Sequence, residues 1–410
     1  MSRAGSAWVE PAFFVVFVVP SPKEKLASRT GRQLDFLVFF RRMITVNMYD
    51  IGIVGAGPAG TTLARLLADR YRILLLDSGR QKCCGGILNL AAQKAFAQFD
   101  LAIPKHVLAD PQPLAVTVMD WDNHLVRSYA RQYVNIDRIA FDHWLLSLVP
   151  QTVDVRNNAV YQKSERNGDN LTLHFMENKE PKTAQARWLV GADGAFSAVR
   201  REFFPTPTPK RYIAVQHWFE QDAVSVAPNF GIDVGTDYGG IFDSTLTDFY
   251  LWTIPKCGQL IVGGAFPLGT NQEFRGLCPR TPVSATMTMF KEKLESFGLR
   301  LGTPIKREAG QMLRPLRSSS VCFGDAKTIL VGEAAGFISA ATAEGFSSAF
   351  ESAFHLAEAF RQSGFDPALY RRLLRNQRWK LWRHKYKIPL MFNPLLRKYV
   401  MLSRFAALHR

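Results

Sequence analysis

The sequence predicts an α/β fold with a strand-rich, α+β insert, and three observations carry that prediction. The first is YDIGIVGAGPAGTTLARLLADRYRILLLDSG at 49–79, where a short apolar strand turns through glycines into a helix and then a second strand. The second is a pair of later segments, LVGADGAFSAVR at 189–200 and ILVGEAAGFISAATAEGFSSAF at 329–350, each an apolar strand opening onto a carboxylate. The third is a strand-rich stretch, from Tyr212 to about Pro267, lying between those two segments. The order is a nucleotide-binding part, an insert and a return. It predicts a discontinuous first domain (48–112, 135–205 and 322–362), a strand-rich domain (113–134 and 206–321) and C-terminal helices (363–410).

The opening unit has Rossmann spacing. Gly55 makes the tight turn, Gly57 lets backbone approach a pyrophosphate, and Gly60, after Ala59, lets the helix pack close to its strand. The second strand ends at Asp77, about 20 residues on, where an acid meets a ribose hydroxyl. Next, QKCCGGILNLAAQKAF reads as a glycine turn entering a helix. Residues 114–130 read as a hairpin turning at DWDN, NIDRIAFDHWLLSLV (135–149) as a helix, and the segment holding Val160 as two or three strands. A linker-like PTPTPK (205–210) precedes the insert, and helical patterns resume at Ala285 and again from Ala341 to the end. The carboxylates Asp193 and Glu333 each stand at a strand mouth, and a small-residue helix start is expected directly after Glu333.

The chain has 410 residues, 47% of them hydrophobic, which is enough for two or three domains. The longest apolar run near the N-terminus, Ala12 to Val19, is too short to span a membrane, and no later run comes closer. Five cysteines without a CxxC pair and eight scattered histidines point to a reducing, cytoplasmic setting without disulfides or a metal site. Met43 and Met48 sit just before the first strand, so residues 1–47 are set aside from the fold and expected to be poorly ordered.

The net charge of +16 lies entirely at the two ends. Residues 1–47 hold seven Lys/Arg against three Asp/Glu, and 371–410 hold twelve against none, which leaves the body balanced. That balance argues against a nucleic-acid channel through the core. The C-terminal bases are interleaved with Trp379, Trp382, Tyr386, Phe392, Tyr399 and Phe405. Two readings stand: basic helices packed on the nucleotide-binding domain, or a segment docking peripherally on an anionic membrane surface at the inner face.

Taken in this order, the motifs resemble the flavoprotein group that includes the aromatic hydroxylases, and more closely the geranylgeranyl reductase family of FAD-dependent oxidoreductases. The resemblance implies FAD held by the Rossmann unit. Asp193 would then lie near the cofactor's phosphates, Glu333 would meet the ribityl chain where the family usually has Asp, and Arg138 of RxxFD would lie near the pyrophosphate or ring. Gly332, Gly336 and Gly345 flank the late motif, and Val160 joins the expected cofactor contacts. Lys82, Cys83, Cys84, Gly85 and Gly86 resemble the family's KPCGG loop, with Cys83 in place of proline. Cys84 is open to two roles, a flavin contact or proton donor and a small packing thiol.

DFYLWTIPK (248–256) resembles the reductases' YxWxFP signature through Tyr250, Trp252 and Pro255. Alternate strand residues share a face, so Tyr250 and Trp252 are expected to line one cavity, and a core aromatic strand is the plain alternative. The resemblance implies reduction of isoprenoid carbon–carbon double bonds in a lipid substrate, with Tyr250 or Cys84 as proton donor. No second dinucleotide fingerprint is present, so the reductant is expected to be transiently bound NAD(P)H or a ferredoxin-like donor. A flavin monooxygenase would use the same fold, and a flavin-containing membrane-binding protein without turnover is the non-enzymatic alternative. The halogenases' WxWxIP also resembles 250–255, but the first Trp is absent and their catalytic lysine finds no match.

Overall fold

The computed structural model describes residues 48–113, 115–205, 209–226, 231–268, 282–302, 304–361, 364–403 and 407–408. The expectations for 1–47, for most of the PTPTPK linker, for Cys278 and for Phe405 lie outside them. Strand β1 (Met48–Val54), helix α1 (Pro58–Leu67) and strand β2 (Ile73–Leu76) form in the order the apolar pattern sets. Then come β3 (Ile87–Leu88), α2 (Leu90–Gln98) and a hairpin of β4 (Ala115–Asp120) with β5 (Leu125–Ala130), Asp120 facing Leu125 across the DWDN turn. Short β6 (Val134–Asn135) leads to α3 (Arg138–Ser147). Asp137 caps α3, its Oδ1 accepting the Ile139 and Ala140 amides, both at 2.8 Å.

Strands β7 (Asp154–Arg156), β8 (Ala159–Asn167), β9 (Asn170–Glu177) and β10 (Glu180–Gly191) precede α4 (Ala198–Phe203). The insert supplies β11 (Lys210–Glu220), β12 (Ser225–Val226), β13 (Tyr238–Phe242), β14 (Leu251–Lys256), β15 (Gln259–Leu268), α5 (Val283–Ser296), β16 (Leu299–Arg300) and β17 (Lys306–Arg314). The chain returns through β18 (Thr328–Leu330) to α6 (Phe346–Phe360).

Helix α6 corrects one expectation. Glu333 does not open a helix: Gly332–Ala335 is a single 3-10 turn, and ten irregular residues separate it from Phe346. Gly332 and Gly336 take φ of 58° and 90°, a left-handed backbone that stops helix propagation on both sides of Glu333.

The first sheet runs β7-β2-β1-β10-β9-β8, with β18 also on β10. Strand β10 is long enough to serve two neighbours on one side. Its first half, 180–186, pairs antiparallel with β9, and its last residues, Leu189–Gly191, pair parallel with β18. Helices α1 and α6 pack together on this sheet over a core containing Ile51, Ile53, Leu63, Leu189, Ile329 and Leu356. The second sheet runs β17-β11-β15-β14-β13-β4-β5, so the early hairpin joins the sheet through β13, more than a hundred residues later in sequence.

Among the described residues, four short helices follow: α7 (Pro367–Leu373), α8 (Arg375–His384), α9 (Lys387–Phe392) and α10 (Pro394–Leu402). They do not pack on the nucleotide-binding part alone. Tyr370 donates to the Leu330 carbonyl at 3.1 Å and Gln377 to that of Ser348 at 2.8 Å, whereas Arg397 reaches the hairpin turn and bonds Asp120 at 2.8 Å. The tail therefore straps one sheet system to the other. Among the described residues, no helix is long and apolar enough to cross a membrane.

Candidate active site

Register builds the site first. Val54 pairs with Leu76 and with Gly191, and Gly191 pairs with Leu330, so four parallel strands end in one row. The segments carrying Gly55–Gly60, Asp77, Asp193 and Glu333 consequently leave the sheet side by side at its carboxyl edge, where open α/β sheets bind ligands. Gly55 has φ 105°, and a Cβ on it would lie 2.6 Å from the Ala192 carbonyl oxygen. A Cβ on Gly60 would lie 1.9 Å from the Gly55 oxygen, so the helix cannot approach its strand with any larger residue. Gly57 differs: a Cβ there meets no atom within 4 Å. It stands at the N-cap of α1, where no side chain takes up the first amides.

Asp77 is fixed by β7 and β8, its amide donating to Arg156 O at 2.9 Å and its carbonyl accepting from Ala159 at 2.7 Å, which brings Val160 beside it. Ala59 lies under Gly332, whose Cβ would sit 3.0 Å from that of Ala59. Asp193 splits its carboxylate: Oδ2 accepts the Ala198 amide at 2.6 Å, while Oδ1 is buried with no partner. Burial pushes the Asp193 carboxyl up, partly offset by the hydroxyl of Ser197 and by backbone amides. Buried Glu333 faces across the edge to the other sheet, accepting the Leu313 amide at 2.9 Å and pairing with Lys82. Gly345 is the N-cap of α6, and Gly336 packs against Ser320 and Arg200.

The open ground at Gly57 and the orphan Asp193 oxygen are the features that fit FAD. The uncapped α1 amides would hold the pyrophosphate, and the two strand-mouth carboxylates would take sugar or ribityl hydroxyls.

The loop 82–86 faces this edge. Cys83 is half-buried, accepts from Gln216 at 2.9 Å, and has its thiol pushed up to about 12, chiefly by desolvation. Its role is packing. Arg138 pairs with Asp142 at 2.9 Å, hydrogen-bonds Cys84 and stacks on Phe346. Burial works against its charge, but Asp142 and Cys84 outweigh burial and hold the guanidinium ionised. Lys256 pins the loop from β14, donating to Gly85 O at 2.6 Å and to Ile136 O at 2.7 Å. Burial brings that ammonium down to about 8.

Tyr250 and Trp252 do lie together, ring centroids 5.8 Å apart. Trp252 is only 8% exposed and packs over Gly263, forming a floor rather than an open wall. Tyr250 donates to Thr342 O at 2.9 Å and is itself hydrogen-bonded by Tyr238. Tyr133 donates to Glu344 at 3.0 Å, and its ring meets that of Tyr238 at 6.2 Å. Burial raises all three phenols, with Glu344 adding to the effect on each and Tyr238 easing it at Tyr250. Cys84 is close enough to act electrostatically on Tyr238 and Tyr250.

Sequence reasoning missed Tyr133, Tyr238, Lys256 and Glu344, and it named Lys82 as part of the glycine loop without its pairing to Glu333. Glu344 alone carried a local signal, an acid before the glycine that opens α6.

No protein-family model matches the chain. Its fold is that of the FAD-dependent hydroxylases, halogenases and reductases. A geranylgeranyl bacteriochlorophyll reductase-like protein from Thermoplasma acidophilum superposes with a TM-score of 0.68 at 18% identity, over 86% of this chain and 90% of that one. HpxO from Klebsiella pneumoniae, crystallised with FAD and uric acid, gives 0.61 at 14% identity, over 86% and 92%. In sequence, protein CbrA from Escherichia coli O9:H4 is 37% identical over 367 residues, which is 87% of this chain and 94% of CbrA. The chain belongs to the CbrA family.

Proposed function

We propose that this protein is an FAD-dependent oxidoreductase that reduces a carbon–carbon double bond of an isoprenoid lipid. The observation that carries the reading is the half-buried network of Tyr133, Tyr238, Tyr250 and Glu344, set over the aromatic floor of Trp252 and beside the Cys84–Gly86 loop. Reduced flavin, when bound, supplies a hydride to one alkene carbon. The chain's task is to deliver the proton to the other carbon and to keep water away. Tyr250, held protonated by burial, gives up its bond to Thr342 O to donate, Tyr238 passes a proton back to it, and solvent restores the proton of Tyr238 before the next turnover. Cys84 is the second donor candidate. The apolar floor suits a polyprenyl chain better than a charged substrate. NAD(P)H or a ferredoxin-like donor would reduce the flavin.

Oxygen activation on the same fold is the second reading, favoured by the likeness to HpxO with its bound uric acid. The test is anaerobic reduction of the purified protein followed by addition of polyprenyl compounds. Flavin reoxidation by a polyprenyl compound without oxygen supports the reductase. Substrate-stimulated reoxidation that requires oxygen replaces it with a monooxygenase, and no substrate effect in either condition leaves a flavin-containing binding protein.

A further inference from the structure

Helix α10 has its faces reversed. Toward the protein it turns Arg397, buried and ion-paired with Asp120 and Asp122, together with Met401. Toward solvent it turns Leu395, Leu396, Tyr399, Val400 and Leu402, with Leu395 68% and Tyr399 71% exposed. A soluble helix ordinarily does the opposite, and a contiguous apolar face left in water marks an interaction surface. Helix α8 continues the pattern: Trp379 and Trp382, with Tyr386 just beyond, recur at helical spacing, all exposed, and the last two meet edge to face at 5.0 Å.

The bases among these residues also face water. Arg371, Arg372, Arg375, Arg378, Lys380, Arg383, Lys387 and Lys398 are exposed, and residues 371–410 hold no acid. We propose that α8–α10 form a docking face for an anionic lipid bilayer. Exposed Trp and Tyr suit the headgroup region, leucines enter the acyl boundary, and surrounding cations meet lipid phosphates. Charge decides against a second copy of the chain, since two such faces would oppose like charges. Nucleic acid would use the bases but would leave the outward leucines without a partner.

The face is coupled to the candidate active site. Phe392, at the end of α9, stacks on Phe249 at 5.3 Å, and Phe249 stacks on Tyr250 at 4.7 Å. Arg314 lies over both Phe249 and Phe392 and donates to Ala340 O at 3.0 Å, in the loop that carries Thr342. Docking would therefore set the Phe392–Phe249–Tyr250 stack beside the membrane surface. The surface itself stands on exposure and charge, whatever reaction the site performs.

The test is cosedimentation of the full chain with phosphatidylcholine vesicles, with and without phosphatidylglycerol, at low and high salt. Two variants accompany it, Arg383→Gln/Lys387→Gln/Lys398→Gln and Leu395→Ser/Tyr399→Ser, all at exposed positions and checked for an unchanged melting temperature. Expected are binding to anionic vesicles at least about tenfold stronger than to neutral ones, weakening in salt, and a loss of about tenfold or more in each variant. Equal binding to both vesicle types, no binding, binding unaltered in either variant, or a dimer abolished by Leu395→Ser/Tyr399→Ser without vesicle binding would each overturn the proposal.

Discussion

The ammonium of Lys256 donates to the carbonyl of Gly85 at 2.6 Å, tying the loop that carries Cys84 to the strand that follows Tyr250. A second bond, to Ile136 O at 2.7 Å, fixes the same nitrogen at the entrance to the Arg138 helix. One buried cation thus aligns three segments that meet nowhere in sequence.

That burial has a pH signature. Lys256 titrates at about 8 in the fold, against 10.5 ordinarily, because desolvation penalises its charge. Between those values the unfolded chain keeps a proton that the folded chain has released, so stability rises with pH through this window and the gain is absent below it. Comparing the parent with Lys256→Met cancels other titrations. Chemical denaturation from pH 8 to about 9.5 should show the parent gaining about 1–2 kcal/mol relative to the variant. Parallel curves would show that the lysine is not buried as described.

Gly57 separates a ligand contact from a folding requirement. Its φ of −75° suits any residue, and its missing Cβ faces open space. Gly57→Leu should therefore keep the parent's stability to within about 1 kcal/mol, yet flavin retained through purification should fall at least about tenfold as the side chain fills the pyrophosphate's place. Gly60→Leu should instead fail to fold, its Cβ colliding with the Gly55 carbonyl. Full flavin occupancy in Gly57→Leu, read from the absorbance ratio, would remove the pyrophosphate from this corner.

Tyr250→Phe removes the hydroxyl while leaving the ring against Phe249 and Trp252. Loss of the bond to Thr342 O should cost about 1 kcal/mol of stability. On the proposed reductase reading, single-turnover reoxidation of the reduced protein by a polyprenyl compound should slow by about 100-fold, with flavin content unchanged. An unaltered rate would transfer proton donation to Cys84 or water.

The first sheet was legible because its signals are short-range. A glycine that must take φ 105° at Gly55, an apolar strand on each side and an acid at Asp77 are all written within thirty residues. The strand mouths at Asp193 and Glu333 were legible for the same reason, although the residues after Glu333 were not. Small side chains there look helical, and only the positive φ of Gly332 and Gly336 shows the break.

By itself the sequence determined the nucleotide-binding corner, the strand-rich insert, the aromatic pair at 250 and 252, and the basic character of the last forty residues. Tertiary structure decided which of those groups meet. Tyr133, Tyr238 and Glu344 converge only after the hairpin, the insert and the late loop close on one another. In α10 the apolar spacing of Leu395, Tyr399 and Leu402 would bury those residues in an isolated reading. Arg397 reverses the helix because Asp120 and Asp122, some 275 residues earlier, offer a buried cation two carboxylates, a partnership no local pattern could announce.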